Sequence, residues 1–431
     1  MTVSSDAMGW SNWSGNQSAP QARIIQPETE EELRELIVTG DCPLRVVGSG
    51  HSFTPIVSTT GSVINLDRMS GVVSVDTEAN LATIKAGSRL KDLSPALEEH
   101  GVAFKNLGDI NVQSFAGATA TGTHGTGEKL GCLSSEIVGV RLMKADGDIK
   151  EATLATDPDL VRAAQVSVGA LGVLLEATLK VRPSYKLHRT TSSEPIEKIL
   201  DAATERWSNN RNYEFFYVPY SGYGINIFHN ETEADATIRE EQDDDAGLAA
   251  MRGIRDRLKW SPFLRKKTLQ AAFKRMKGEN TVDQSWRLLA SVRNTHFNEM
   301  EYHIPVENGL EAFKEVVAVI EDKCRGVFFP IEMRKTAGDA AWLSPFQGGP
   351  RISIAVHAAA DERHDWFFDY IEPIFSNAGG RPHWGKLHSL GREDLERLYP
   401  DFLRFLELRK RFDPDGKFLS KGLAKYWGDQ L

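Results

Sequence analysis

Cysteine is scarce, with Cys42, Cys132 and Cys324 the only three in 431 residues. Three scattered thiols cannot make a disulfide framework. No C-x-x-C pair occurs, which excludes a structural zinc site of the usual spacing. Positive charge is not in surplus either. Lys and Arg number 51 against 60 Asp and Glu, a formal net charge of −9. The molecule as a whole is therefore a poor partner for DNA or anionic lipid. No uninterrupted apolar run reaches the ~20 residues that a membrane span needs. The opening MTVSSDAMGWSNWSGNQ lacks the basic start and apolar stretch of a secretory signal. No internal repeat is visible. These absences predict a soluble protein of a reducing compartment, most simply cytoplasmic, with no nucleic-acid partner.

What remains is an ordinary globular composition, 41% hydrophobic and 26% charged. The length predicts two or three domains. Acids between Glu28 and Glu32 precede Leu33, Leu36 and Ile37 on one face, which predicts a helix over 28–38. A buried strand over 44–48 runs into a Gly-rich turn. Short apolar runs between 62 and 87 predict one small sheet. Leu90, Leu93 and Leu97 share a face of a helix over 89–100 that Gly101 stops. Residues 106–131, dense in Gly, Ser, Thr and Ala, predict no conventional core element. Strands are expected at 137–143, 172–181, within 213–229, and at 299–304, 327–334 and 351–357. Helices are expected at 307–324 and 394–409. The glycines of SVGALGV predict close backbone approach. Composition shifts near Arg182-Pro183. Beyond it, 231–245 reads as an acidic loop and 252–277 as a basic helical stretch. A basic surface can hold phosphate polymers, but a solvated face balanced by the acidic loop is the preferred reading. Two α+β domains result.

Two segments stand out: VVGSGHSF from Val46, and SFAGATATGTHGTG from Ser114 to Gly127. Glycine lets a backbone turn tightly and bring its N–H groups against a ligand. Successive amides with Ser and Thr hydroxyls make an anion cradle, and diphosphate is the natural guest. A Rossmann fingerprint fails because Phe53 stands at the third small position. A P-loop fails because Glu128, not Lys, follows Gly122 to Gly127. Spacing alone leaves the cofactor open.

RVVGSGHSF, NLGDINVQSFAGATATGTHGTG, SVGALGV, PIEMR and RPHWGK together resemble the FAD-linked oxidases of the vanillyl-alcohol-oxidase superfamily. More narrowly they resemble the aldonolactone oxidase branch (L-gulono-1,4-lactone and D-arabinono-1,4-lactone oxidases), with alditol oxidase as a cousin. The resemblance runs from Trp10 to about Gly422. It implies an α+β fold: a two-subdomain FAD-binding domain over 1–182, then an α+β cap or substrate domain over 183–431. The segment 381–431 returns to the flavin. It also implies oxidation of a sugar lactone or polyol by hydride transfer to FAD N5, with O2 as acceptor giving H2O2. Alternatives are an alditol oxidase, a lactone dehydrogenase with another acceptor, and a non-catalytic phosphate-binding protein using 252–277.

Carried onto this sequence, the resemblance joins His51 covalently to FAD. It wraps the diphosphate with Val46, Val47, Gly48, Ser49, Gly50 and Ser52. Ser114, Gly117, Thr121, Gly122, Thr123 and His124 complete the cradle, and Val173 and Leu174 lie near the adenine end. Gly108 is placed at the flavin edge, where a glycine leaves a passage for O2. Glu332 and Arg334 alternate about Met333 on one strand face, an acid and a guanidinium that suit a polyhydroxyl substrate. Lys386 reaches the active site. Asp109 and His357 stand where alditol oxidase has Ser and Thr, which favours a lactone, and are expected to form an Asp–His pair. His51, His124, His383 and His388 lack metal-ligand spacing, so no metal is expected.

Overall fold

The computed structural model describes residues 7–40, 42–237, 244–291 and 293–428. The first part holds two sheets. Strands Ala7–Ser11, Ser18–Ile25, Ser62–Asn65 and Leu44–Val47 lie in that order, the last three parallel. The helix Glu30–Thr39 starts at Thr29, whose hydroxyl accepts from the Glu32 amide, and buries Leu33 and Ile37. The second sheet is antiparallel, in the order Val72–Asp76, Leu81–Lys85, Val173–Lys180, Ile137–Met143, Ile149–Thr153.

The single small sheet expected from 62–87 is thus divided between two. Ser62–Asn65 is buried along its whole length, as a central parallel strand must be. Leu81–Lys85 alternates buried and half-buried residues, as an antiparallel strand does. The second correction concerns 106–131. Ser114 caps a short helix, Phe115–Ala120, and Phe115, Ala118 and Thr119 are buried. Small side chains suit this stretch to the interior rather than to a surface loop. In SVGALGV, Gly172 adopts φ +114° and a Cβ there would lie 2.3 Å from the Met143 carbonyl oxygen, so close approach is real.

The second part is built on one eight-stranded antiparallel sheet. Its order is Asn280–Gln284, Lys186–Pro195, Tyr223–Thr232, Asn212–Val218, Ile331–Thr336, Arg351–Ala359, Phe297–Pro305, Arg381–Pro382. Helices Ile196–Asn209, Val306–Lys323 and Asp365–Asn377 supply the apolar cover of one face. Tyr213, Phe215, Met300, Tyr302, Met333, Ile352 and Ile354 pack with them. The alternate residues point to the other face, toward the first part. There Thr126 Oγ1 donates to the Tyr213 carbonyl at 2.6 Å.

The helix expected at 394–409 is two, Arg392–Leu398 and Phe402–Phe412; Pro400 between them disfavours helical backbone at Tyr399. The C-terminal segment closes back on the first part. The Phe53 amide donates to the Gly385 carbonyl at 2.7 Å. Arg45 donates to the Phe418 carbonyl at 2.6 Å. Leu419, Leu423 and Trp427 share a core with Leu90, Leu97 and Phe115. Residues 238–243 of the expected acidic loop lie outside the described residues.

Candidate active site

A cavity lies between the loop after Leu44–Val47 and the helix Phe115–Ala120. Val46, Val47, Gly48, Ser49, Gly50, His51 and Ser52 line one side, and Ser114, Gly117 and Thr121 another, with Val173 and Leu174 in the same wall. Apart from His51, the lining side chains able to carry charge are Arg45 and Asp67. Arg45 is spent on the carbonyls of Val168, Gly169 and Phe418, and Asp67 on Arg89. Backbone amides and small hydroxyls are left to meet an anion, which is the chemistry of a diphosphate cradle. A Cβ at Gly48 would lie 1.9 Å from Ser114 Oγ, so glycine is required there by contact between the two loops. His51 stacks on Trp13, ring centroids 5.0 Å apart. Burial, with Lys386 and Arg89 nearby, pulls its pKa down to about 4, so the ring is neutral. Its Nδ1 is buried with no hydrogen-bond partner. The cavity, the uncharged cradle and this orphaned nitrogen fit a flavin dinucleotide.

Four of the expected cofactor residues do not line that cavity: Gly108, Gly122, Thr123 and His124. His124 faces the sheet, its Nε2 3.1 Å from Glu301 Oε1 and its Nδ1 2.9 Å from the Gly125 carbonyl oxygen. Gly108 borders no gap, since a Cβ there would meet Thr123 Cγ2 at 2.9 Å and the His124 carbonyl oxygen at 3.0 Å. Nor does it adopt a left-handed backbone. A glycine here permits close packing on Thr123 and His124.

The sheet face toward the cradle is dense in charge. Arg334 is its hub. It donates from Nη2 to Glu301 at 2.8 Å and from Nη1 to Asp109 at 3.3 Å. Its Nε stands 3.4 Å from Glu332 Oε1, but neither atom makes a hydrogen bond. Glu332 and Arg334 therefore share a face as their spacing predicts, and Met333 packs in the core behind. Burial pushes the Glu332 carboxyl well above the usual range, Arg334 opposing and Asp109, Glu214 and Glu301 reinforcing. Glu301 goes the other way. Burial alone would raise it, but Arg334 and His124 hold it well below. Glu214 is raised to about 7 by burial and by Asp109.

A second group adjoins the first. Lys386 pairs with Glu299, and His357 Nε2 lies 3.6 Å from the other oxygen of that carboxylate. Against its own burial, Lys386, with His357 alongside, holds Glu299 at about 2. The expected Asp109–His357 pair does not form. Each has another partner, because register sets Glu299 opposite His357 and brings Arg334 to Asp109. Glu214, Glu299, Glu301 and His303 were not anticipated. NEMEYH carries the same alternation that marked Glu332 and Arg334, so that signal was present. In each of two sets, His124–Glu301–His303 and Asp109–Glu214–Glu332, ligand-capable atoms of the three residues lie within 4.8 Å of one another. Arg334 supplies the counter-charge to both.

The sequence model of the D-arabinono-1,4-lactone oxidase family matches residues 177–426. The chain belongs to that family. A model of FAD-binding domains matches residues 20–153. An L-gulono-1,4-lactone dehydrogenase of Mycobacterium tuberculosis is 34% identical over 421 residues, 95% of this chain and 97% of its own. An L-gulonolactone oxidase of Bos taurus is 32% identical, covering 96% and 97%. An alditol oxidase of Streptomyces is 27% identical, covering 94% and 96%. Among solved structures, a solvent-stable cholesterol oxidase superposes with a TM-score of 0.79 at 16% identity, covering 98% of both chains. That last likeness shows the fold alone. The family member described here is an FAD-dependent oxidoreductase acting on CH–OH groups, with the α+β architecture of the vanillyl-alcohol-oxidase type, and the non-catalytic reading of 252–277 falls away.

Proposed function

We propose that this protein oxidises a sugar 1,4-lactone of the L-gulono or D-arabinono type, with FAD held covalently through His51 and O2 as the electron acceptor, in the cytoplasm. The observation that carries the substrate class is the pair of unmet polar atoms at Glu332 Oε1 and Arg334 Nε, buried side by side. A polyoxygenated ligand satisfies both. FAD, when bound, supplies the acceptor for the hydride that leaves the carbinol carbon.

The chain's own groups do the rest. Arg334 Nε donates to a substrate oxygen and fixes its orientation. Glu332, which keeps its proton far above the usual carboxyl range, donates to a second oxygen. His357 turns Nδ1 toward the Pro330 carbonyl at 3.3 Å. With its N–H on that side, Nε2 holds the lone pair that takes the hydroxyl proton. The imidazolium so formed faces Glu299, already ionised, which stabilises it. Lys386 keeps that carboxylate charged and lends positive potential to the His51 end. Trp13, Phe53 and Phe297 exclude water there.

Anaerobic mixing with a panel of lactones and alditols tests the substrate. Lactones are expected to bleach the flavin at least ten times faster, as about 1.4 kcal/mol of differential binding requires. Faster bleaching by an open-chain alditol would reverse the assignment. Admission of O2 should restore the yellow colour with release of H2O2. The M. tuberculosis relative carries the name dehydrogenase; recovery only with a dye acceptor would put this protein with it. The flavin should stay with acid-precipitated wild-type protein and be released from His51→Ala.

A further inference from the structure

The segment 252–277 is not a uniform solvated face. It forms two helices, Asp244–Leu258 and Pro262–Phe273, joined by a short turn. Three of its arginines fasten this hairpin to the body. Arg252 and Arg255 pair with Glu362, and Arg255 also donates to the Gly326 carbonyl at 2.8 Å. Arg265, fully buried, donates to the carbonyls of Arg325 at 2.8 Å and Val327 at 2.6 Å. Pro262 and the Ser261 hydroxyl, which accepts from the Leu264 amide, set the start of the second helix. The turn is therefore held in one shape.

That turn carries the two most exposed aromatic side chains among the described residues. Trp260 is 69% exposed and Phe263 67%, with Leu264 beside them. The Trp260 indole N–H donates to the Arg257 carbonyl at 2.9 Å, so the outward ring presents no donor that needs water. Lys267 Nζ stands 5.8 Å from the Phe263 ring centroid, and Arg257, Lys259 and Lys266 flank the rings along the chain. All four are exposed, and no described carboxylate pairs with any of them. On a chain of net charge −9, this is a local reversal of sign around an apolar point.

We propose that this hairpin tip is a wedge that docks on an anionic bilayer surface. The rings enter the boundary between headgroups and acyl chains while the cations meet lipid phosphates. Long lysine stems let the ammonium groups stay at the phosphates as the rings go deeper. Exposed rings flanked by unpaired cations suit an anionic, fluid lipid surface, where apolar and charged layers lie side by side. No helix among the described residues is long and apolar enough to cross a membrane, so the contact is with one leaflet. Leu248 and Met251, at the root of the first helix, pack on Phe297, Phe328 and Phe329, and Phe297 abuts His357 at 5.1 Å. A docked tip thus fixes how the candidate active site faces the bilayer.

The test is flotation of the flavin-loaded protein with vesicles of phosphatidylcholine, alone or mixed with phosphatidylglycerol. Wild type is expected to float with the mixed vesicles, to ignore the neutral ones, and to be released by salt. Each lysine near an anionic surface is worth about fivefold in partition. W260S/F263S and K266E/K267E should therefore each lower the bound fraction at least tenfold. Flavin content and melting temperature, unchanged in both variants, show that the body is intact. Failure of wild type to float at low salt overturns the proposal, as does equal binding by both variants. Loss of a protein dimer in the tip variants, with no wild-type flotation, would assign the tip to a second copy instead.

Discussion

Around residues 46–52 the protein offers a ligand its backbone, and on the strands Phe297–Pro305 and Ile331–Thr336 it offers charge. The cradle is made of glycines and small hydroxyls, and the few ionisable groups beside it are already paired. The sheet face concentrates Asp109, Glu214, Glu299, Glu301 and Glu332 about Arg334 and Lys386. A diphosphate has one shape and tolerates no extra atom in its seat. A carbinol being oxidised changes its charge, and groups held far from their ordinary pKa can respond to that change. The cradle is accordingly sensitive to volume and the sheet face to protonation.

The sharpest break in the comparison is Gly48→Ala. Its methyl falls 1.9 Å from Ser114 Oγ, which drives apart the two loops that line the cavity. The purified variant should contain almost no flavin, read as absorbance near the flavin maximum per polypeptide. Full occupancy would mean that the loops adapt and that volume does not govern the cradle. On the other side, Arg334→Met keeps the volume and removes the charge. Flavin content should be normal while the rate of anaerobic reduction falls about 100- to 1000-fold, the usual loss when one oriented donor is removed. Part of that loss comes from Glu301, left buried without its partner.

Glu332 separates protonation from charge. Because burial keeps its proton on, Glu332→Gln preserves both size and a donor, and reduction should slow by no more than about tenfold. Glu332→Leu removes the donor, and a loss of about 100-fold is expected, within the range for a positioned acid. Equal, large losses would show that the ionised carboxylate is the working form.

Glu214 connects the same chemistry to stability. Its folded pKa of about 7 lies above the ordinary carboxyl value, so the folded state holds a proton that the unfolded chain has released. Its contribution is complete below about pH 4.5 and is lost as pH rises through 7. Denaturant midpoints of the flavoprotein should therefore fall between pH 5 and pH 7, and Glu214→Gln should flatten that part of the profile. Glu299 has the opposite sign. Held at about 2, it stabilises above the unfolded value and is lost only as pH falls through 2.

The smallest effect belongs to Gly108→Ala. Its methyl presses on Thr123 and the His124 carbonyl, so flavin reduction and reoxidation should both slow by a few-fold. Slowing of the O2 step alone would restore the reading of Gly108 as an oxygen gate.

These two regions also differ in how far they could be read from the chain alone. The cradle was legible because glycine spacing writes backbone shape directly into sequence. Twelve of the sixteen expected cofactor residues line the cavity. That His124 lies off the cavity was not legible, because its motif reports where the backbone turns, not that the ring reaches across to Glu301, 177 residues away. Glu332 and Arg334 were legible through strand alternation. Glu299 and Glu301 obey the same period but sit in a run that reads as any half-buried strand. Glu214 is a lone acid among aromatics in NYEFFYV. Their meaning depends on strand order, which places Glu214 opposite Arg334, and on a contact to Asp109 across 225 residues. No local pattern encodes such pairings. The division of 62–87 between two sheets was lost for the same reason.

The return of the C-terminus to the first domain has a consequence for biosynthesis. Arg45 is satisfied in part by the Phe418 carbonyl, the Leu44 amide donates to Lys417, and Leu423 and Trp427 complete the core around Phe115. Phe418 leaves the ribosome 373 residues after Arg45. Although domains generally fold in order of synthesis, the cavity wall at Arg45 is complete only once Phe418 has emerged. A chain that stops short of Lys417 is therefore expected to take up little flavin, which absorbance per polypeptide would check.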